Sequence, residues 1–228
     1  MAAATDPQHS HQELAALAAE VATCERCRLA EGRTRVVAGD GDPDADLMLV
    51  GEAPGFHEDR QGVPFVGAAG ALLDRLLGSI GLAREDVYVA NVLRCRPPGN
   101  REPLPDELGA CEGYLFRELA LVRPAVVATL GNLATRLLSG RAGPITTVHG
   151  QPRRLTIGDV TVTLYPLYHP AAALYTPSML RTLEEDFARL PGILAASSAA
   201  VPSGPLSELE PPAAATASAE PVEQLELF

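Results

Sequence analysis

The segment that most constrains the fold is Asp46-Leu-Met-Leu-Val-Gly-Glu-Ala-Pro-Gly55, four apolar residues that run without a break into a turn of Gly and Pro. A short apolar run bounded by turn residues reads as a strand buried on both faces, here Leu47 to Val50, with Gly51 to Gly55 as the loop at its carboxyl end. Strands of this kind belong to α/β sheets, whose ligands bind beyond the carboxyl ends of the strands. The loop is therefore the first place to look for a site, although a plain structural turn would look the same. Other residues have to decide between the two.

The rest of the chain repeats the pattern. Val87 to Leu93, Ala125 to Leu130 and Val160 to Tyr168 read as three more strands. Helical spacing of apolar residues marks 12–23, Ala68 to Ile80, Pro105 to Leu121, Gly131 to Leu138 and Ser178 to Leu190, while Phe56 to Gly67 reads as loop. Strands alternating with helices predict an α/β fold, a three-layer αβα sandwich around a mostly parallel four-stranded sheet. Residues 1–11 read as a flexible N-terminus and 12–192 as one domain. From 193 to 228 Ala, Ser, Pro and Glu dominate, and the segment reads as a disordered acidic tail.

Charge and cysteine content narrow the chemistry. The formal charge is -11, but Glu208, Glu210, Glu220, Glu223 and Glu226 sit on the tail, whereas Arg26, Arg28, Arg33, Arg35, Arg94, Arg96, Arg101, Arg153 and Arg154 fall in short clusters. A local basic face for phosphate is compatible with that distribution. All 18 basic residues are Arg, which excludes a phosphate loop built on Lys and imine chemistry through a Lys side chain. No apolar run approaches membrane-spanning length and the N-terminal residues lack the pattern of a signal peptide, so a cytoplasmic protein is expected. Four cysteines are too few for a secreted disulfide scaffold of 228 residues. Cys24-x2-Cys27 with Cys95 and Cys111 offers four thiolates, enough for one metal centre, and ligand type alone leaves zinc and iron–sulfur both open.

Three strand ends carry chemistry: Glu52, Asn91 and His169. A parallel sheet brings these ends to one edge, so an acid, an amide and an imidazole from separate strands converge.

Gly51-Glu-Ala-Pro-Gly55, Gly62-Val-Pro-Phe-Val-Gly67, Asn91-Val-Leu-Arg-Cys-Arg-Pro-Pro-Gly-Asn-Arg101 and His169-Pro-Ala-Ala-Ala-Leu174 resemble the motifs of family 4 uracil-DNA glycosylases, and all four cysteines fall at matching places. The resemblance covers about Cys24 to Leu190. It implies a [4Fe-4S] cluster on Cys24, Cys27, Cys95 and Cys111, and removal of uracil from DNA after the nucleotide is flipped into a pocket. It also implies roles. Phe65 stacks on the flipped ring, and Asn91 pairs with N3–H and O4, an edge that an amide matches with one acceptor and one donor. His169 donates to uracil O2 as charge develops there. Glu52 positions water or favours the sugar cation, Glu58 blocks the 5-methyl of thymine, and the backbone of Gly51 to Ala53 lines the pocket.

Without Lys the enzyme is expected to be monofunctional, leaving an intact abasic site for base excision repair. Arg94, Arg96 and Arg101 are expected phosphate contacts, and Leu174 with Tyr175 stands where the family wedges a side chain into DNA, many members carrying Arg after that Leu. Gln224-Leu-Glu-Leu-Phe228 resembles the pentapeptide by which bacterial repair proteins dock on the replication sliding clamp, with Gln224, Leu225, Leu227 and Phe228 as contacts. A monomer is expected. The alternative reading is a non-catalytic nucleic-acid-binding module with a structural metal cluster, associated with replication.

Overall fold

A computed structural model describes residues 7–140 and 143–199. The clamp-like peptide, Gln224 to Phe228, lies outside the described residues. Six strands form one sheet: β1 (Asp40–Gly41), β2 (Leu47–Gly51), β3 (Tyr88–Asn91), β4 (Val126–Leu130), β5 (Arg153–Ile157) and β6 (Val160–Leu167), in the order β1-β3-β2-β4-β6-β5. The inner four are the strands expected from the apolar runs, and they are mutually parallel. The sheet is thus larger than the four strands expected. The short β1 and the β5 hairpin strand add to its two edges in antiparallel orientation.

Alternation along the inner strands divides the core into two layers. Leu47 and Leu49 face Leu72, Leu73, Leu76 and Leu77 of one helix, α4 (Ala68–Ser79), with Leu183 and Phe187 of α9 (Pro177–Phe187). Met48 and Val50 face the opposite way, with Leu115 and Leu119 of α5 (Pro105–Val122) and Ala134 and Leu138 of α6 (Asn132–Ser139) in their cluster. Helices on both faces of a mostly parallel sheet make the expected αβα sandwich.

The remaining helices are α1 (Pro7–Ala22), α2 (Leu29–Gly32), α3 (Phe56–Gln61), α7 (Ile145–Val148), α8 (Pro170–Ala173) and α10 (Leu190–Ala199). Two extend past the sequence reading: α1 begins inside the stretch taken as flexible, and α10 runs beyond residue 192. Leu190 is buried in the same cluster as Phe187, so the last helix starts from the core. The segment read as loop after Gly55 contains the six-residue α3, ended by Gly62 in the left-handed region.

Candidate active site

Strand register assembles the site. Gly51 pairs with Asn91, Val50 with Thr129, and Leu130 with Leu167, so β2, β3, β4 and β6 end along one line. Glu52, Asn91 and His169 emerge there and line a single cavity of about 310 Å³ with Ala53, Glu58, Phe65, Pro97, Asn100 and Arg101. The three strand-end residues are brought together as the parallel sheet predicted. A groove of about 920 Å³, reaching Gly131, Asn132, Arg136 and Tyr168, shares Glu52 and His169 with it.

Phe65 sits at φ 56, in the left-handed region that a bulky residue seldom enters. Its loop is held by Glu58, whose Oε1 accepts from the backbone N–H groups of Val66 and Gly67 at 2.9 and 2.8 Å, and by Arg84, which donates to the Pro64 carbonyl. Gly70 allows the first turn of α4 to close on this loop, because a Cβ there would lie 1.7 Å from the Phe65 carbonyl oxygen. The Phe65 ring is thereby fixed 5.7 Å from that of His169, 27° from parallel.

Asn91 is 2% exposed, and its Oδ1 has no partner among the described residues. A buried acceptor left unpaired costs about 1–3 kcal/mol, a cost that a donor entering the cavity removes. Gly51 makes room for this amide: a Cβ at 51 would stand 2.4 Å from Asn91 Oδ1 and 2.6 Å from Phe65 Cζ.

His169 caps α8, its Nδ1 accepting from the Ala171 N–H at 3.1 Å. That bond requires an unprotonated Nδ1, which leaves the ring proton on Nε2. Burial pulls the imidazole pKa down to about 4, with the Glu58 charge pushing weakly the other way. At neutral pH the ring is an uncharged donor through Nε2. Glu52 is shifted upward, chiefly by burial and then by Glu102, with Arg136 opposing.

The arginines separate. Arg94, expected at phosphate, is 1% exposed and donates to Glu118 Oε2 at 2.6 Å, both side chains buried; facing the interior, it presents nothing to DNA. Arg101 lines the cavity but is held bidentately by Glu107 at 2.8 and 2.5 Å. Arg96 donates to Asn100 Oδ1 at 2.7 Å and takes part in no ion pair among the described residues. Leu174 and Tyr175 are exposed just after α8, Tyr175 at 88%. Gly131 and Arg136 escaped the sequence reading although the end of β4 carries the same signal as the other three strand ends.

Residues 38–190 match the uracil DNA glycosylase superfamily. The chain is 44% identical over 176 residues to the type-4 uracil-DNA glycosylase of Sulfurisphaera tokodaii, covering 75% of this chain and 80% of that protein. The chain belongs to the type-4 uracil-DNA glycosylases. A second type-4 relative, from Thermotoga maritima, is 40% identical over 182 residues, 78% of this chain and 93% of its own. The type-5 enzyme of Thermus thermophilus is 39% identical over a shorter 124 residues, 48% of this chain and 56% of that one.

In this type-4 chain the four cysteines, drawn from three stretches of the sequence, line one small cavity with Leu29, Arg33 and Leu93. Cys24 and Cys27 follow α1, Cys95 follows β3, and Cys111 lies on α5. Sulfur atoms there already accept hydrogen bonds: Arg94 N–H to Cys111 Sγ at 3.3 Å and Arg33 Nη1 to Cys95 Sγ at 3.5 Å. Burial raises the Cys95 thiol and pushes that of Cys111 up to about 11. Among the described residues no three His, Cys, Asp or Glu side chains are grouped to hold a single metal ion, and no helix is long and apolar enough to cross a membrane.

Proposed function

We propose that the protein is a monofunctional uracil-DNA glycosylase, which hydrolyses the N-glycosidic bond of uracil in DNA and leaves an abasic site for base excision repair. The observation that carries this reading is the unpartnered, buried Oδ1 of Asn91 in the cavity that also holds the Nε2–H donor of His169. Uracil offers an N3–H to that acceptor and an O4 to the amide's donor; cytosine offers the reverse pattern. Phe65 supplies a ring face for the flipped base. Glu58, which lines the cavity and is held by two backbone N–H groups, is assigned the exclusion of a 5-methyl group.

Bond cleavage places negative charge on the departing uracil and positive charge on the sugar. His169 stabilises the first by donating from Nε2 to O2, and as a neutral donor it costs no deprotonation at working pH. Glu52 stabilises the second, or takes a proton from the water that adds to C1′; a carboxylate raised by burial is the stronger base. With no Lys in the chain, no side-chain amine forms an imine with the abasic sugar, and the strand stays uncut. Arg96 and Arg101 at the rim, and Leu174 and Tyr175 beyond α8, are the groups proposed to meet the DNA.

Cys24, Cys27, Cys95 and Cys111 fit a [4Fe-4S] cluster. Four thiolates at one buried cavity, with N–H donors aimed at two sulfurs, suit a cluster that takes one thiolate per iron. When bound, the cluster would tie the loop after α1 to β3 and α5, and the cysteines need do no more than hold it. The C-terminal Gln224-Leu-Glu-Leu-Phe228 is proposed to dock on a sliding clamp, raising the local concentration of enzyme at replicated DNA. A monomer is proposed as the working form.

The test is incubation with a uracil-containing oligonucleotide followed by alkali. Cleavage only after alkali is the expected result. Intact DNA after alkali, from folded protein with its cluster, would instead favour a non-catalytic binding module.

A further inference from the structure

We propose that Phe56, with Arg60 and Arg96 around it, is a stacking platform for an unpaired DNA base next to the flipped uridine. This rests on the uracil-glycosylase reading above. Phe56 opens the six-residue α3, and nearly half of its surface, 46%, faces solvent. The guanidinium carbons of Arg96 and Arg60 lie 5.2 and 5.6 Å from its ring centroid, and the His57 ring meets it edge-on at 5.4 Å.

An exposed aromatic under arginines is also an ordinary surface arrangement. Two observations favour a ligand. First, Arg60 and Arg96 join no carboxylate among the described residues, whereas Arg28, Arg94 and Arg101 are paired with Asp106, Glu118 and Glu107. In a chain of net charge -11, two unneutralised guanidiniums on one ring match the phosphates on either side of a stacked base. Second, the platform is continuous with the site. Gly55 and Glu58, which bracket Phe56 and His57, line the cavity, as do Pro97 and Asn100, and Arg96 is held to Asn100 at 2.7 Å. A strand whose uracil enters the cavity therefore has a neighbouring nucleotide within reach of the ring. Bases stacked on an aromatic side chain beside cations that follow the backbone are the general mode of single-strand binding, and it tolerates any sequence.

The chain contains no Trp, so Phe56→Trp introduces a lone indole at the platform. Saturable quenching of its fluorescence by a uracil-free thymidine oligonucleotide is expected. No quenching, or equal quenching by an oligomer of abasic sugar-phosphates, would overturn the proposal. On single-stranded uracil substrates Phe56→Ala should lose about tenfold in kcat/KM, mostly in KM, within the range found for one base on an aromatic. Replacing the neighbouring base by an abasic spacer, on one side of the uridine only, should cost the wild-type protein the same factor and cost Phe56→Ala nothing further. Additive losses would overturn it, as would no loss in Phe56→Ala with an unchanged melting temperature. Should the wild-type protein release no uracil at all, the glycosylase reading fails, while the quenching result still decides the platform.

Discussion

His169 gives the sharpest expectation, because its protonation and its orientation come from the same environment. Its Nδ1 is occupied by the Ala171 N–H, its ring stacks on Phe65, and burial holds it neutral down to about pH 4. If Nε2 is the donor to the leaving uracil, His169→Ala removes one preorganised donor, a loss of about 10²- to 10³-fold in kcat, or roughly 2.7–4 kcal/mol. The pH profile then follows. Protonating Nδ1 would set an N–H against the Ala171 N–H and break the cap of α8, so activity should fall only as pH drops through about 4, and His169 should contribute no inflection between pH 5 and 8. Stability follows the same sign. A folded-state pKa below the ordinary histidine value of 6.5 means the unfolded chain binds the extra proton first, so stability declines as pH falls from about 6.5 toward 4 and is fully restored above that window. Single-turnover kinetics from pH 4 to 8 in a Glu52→Gln background, with and without His169→Ala, separates the histidine's contribution from those of the carboxylates that line the same cavity. An inflection near 6.5 that disappears with His169→Ala would refute the argument from burial.

Three further perturbations test neighbouring parts. Glu118→Ala leaves the Arg94 charge unpaired in the interior and removes the acceptor of the Gly39 N–H; breaking a buried pair this way costs about 3–5 kcal/mol. At roughly 2–4 °C per kcal/mol for a chain of this size, thermal melting should fall by about 6–20 °C, and a negligible shift would contradict the burial of the pair. Gly51→Ala drives a methyl into Asn91 Oδ1 and the Phe65 ring; a displacement of about 1 Å at a reacting centre costs roughly 100-fold, and kcat/KM on a uracil oligonucleotide measures it. Cys111→Ser removes one of four thiolates, and iron analysis after anaerobic purification should fall from about four per chain toward none, with loss of brown colour; unchanged iron would exclude Cys111 as a ligand.

What the sequence made legible follows from burial. The inner strands are apolar on both faces because helices cover both, so β2, β3, β4 and β6 announce themselves as runs, and their ends locate Glu52, Asn91 and His169. The edge strands carry no such mark: β1 is two residues long, and β5 begins with exposed Arg153 and Arg154, charges that suit an unpaired edge but resemble any basic surface cluster. The backbone of Phe65 was equally hidden, since its left-handed conformation is imposed by Glu58 and Arg84 from other turns. The deepest misreading concerned Arg94 and Arg96, two residues apart on either side of Cys95. Proximity in sequence grouped them as one basic patch, yet Arg94 turns inward to Glu118 and Arg96 outward beside Phe56. The partners that decide this lie elsewhere on the chain: Asp106, Glu107 and Glu118 all belong to α5, and they take up Arg28, Arg101 and Arg94 in turn. One acidic helix thus neutralises much of the apparent basic patch around the cysteines, and the arginines left without a carboxylate near the site, among the described residues, include Arg60 and Arg96 beside Phe56 and Arg136 in the adjoining groove. A protein with so acidic a balance can meet DNA there through few contacts, which places the burden of recognition on the flipped base itself and on what its neighbours can stack against.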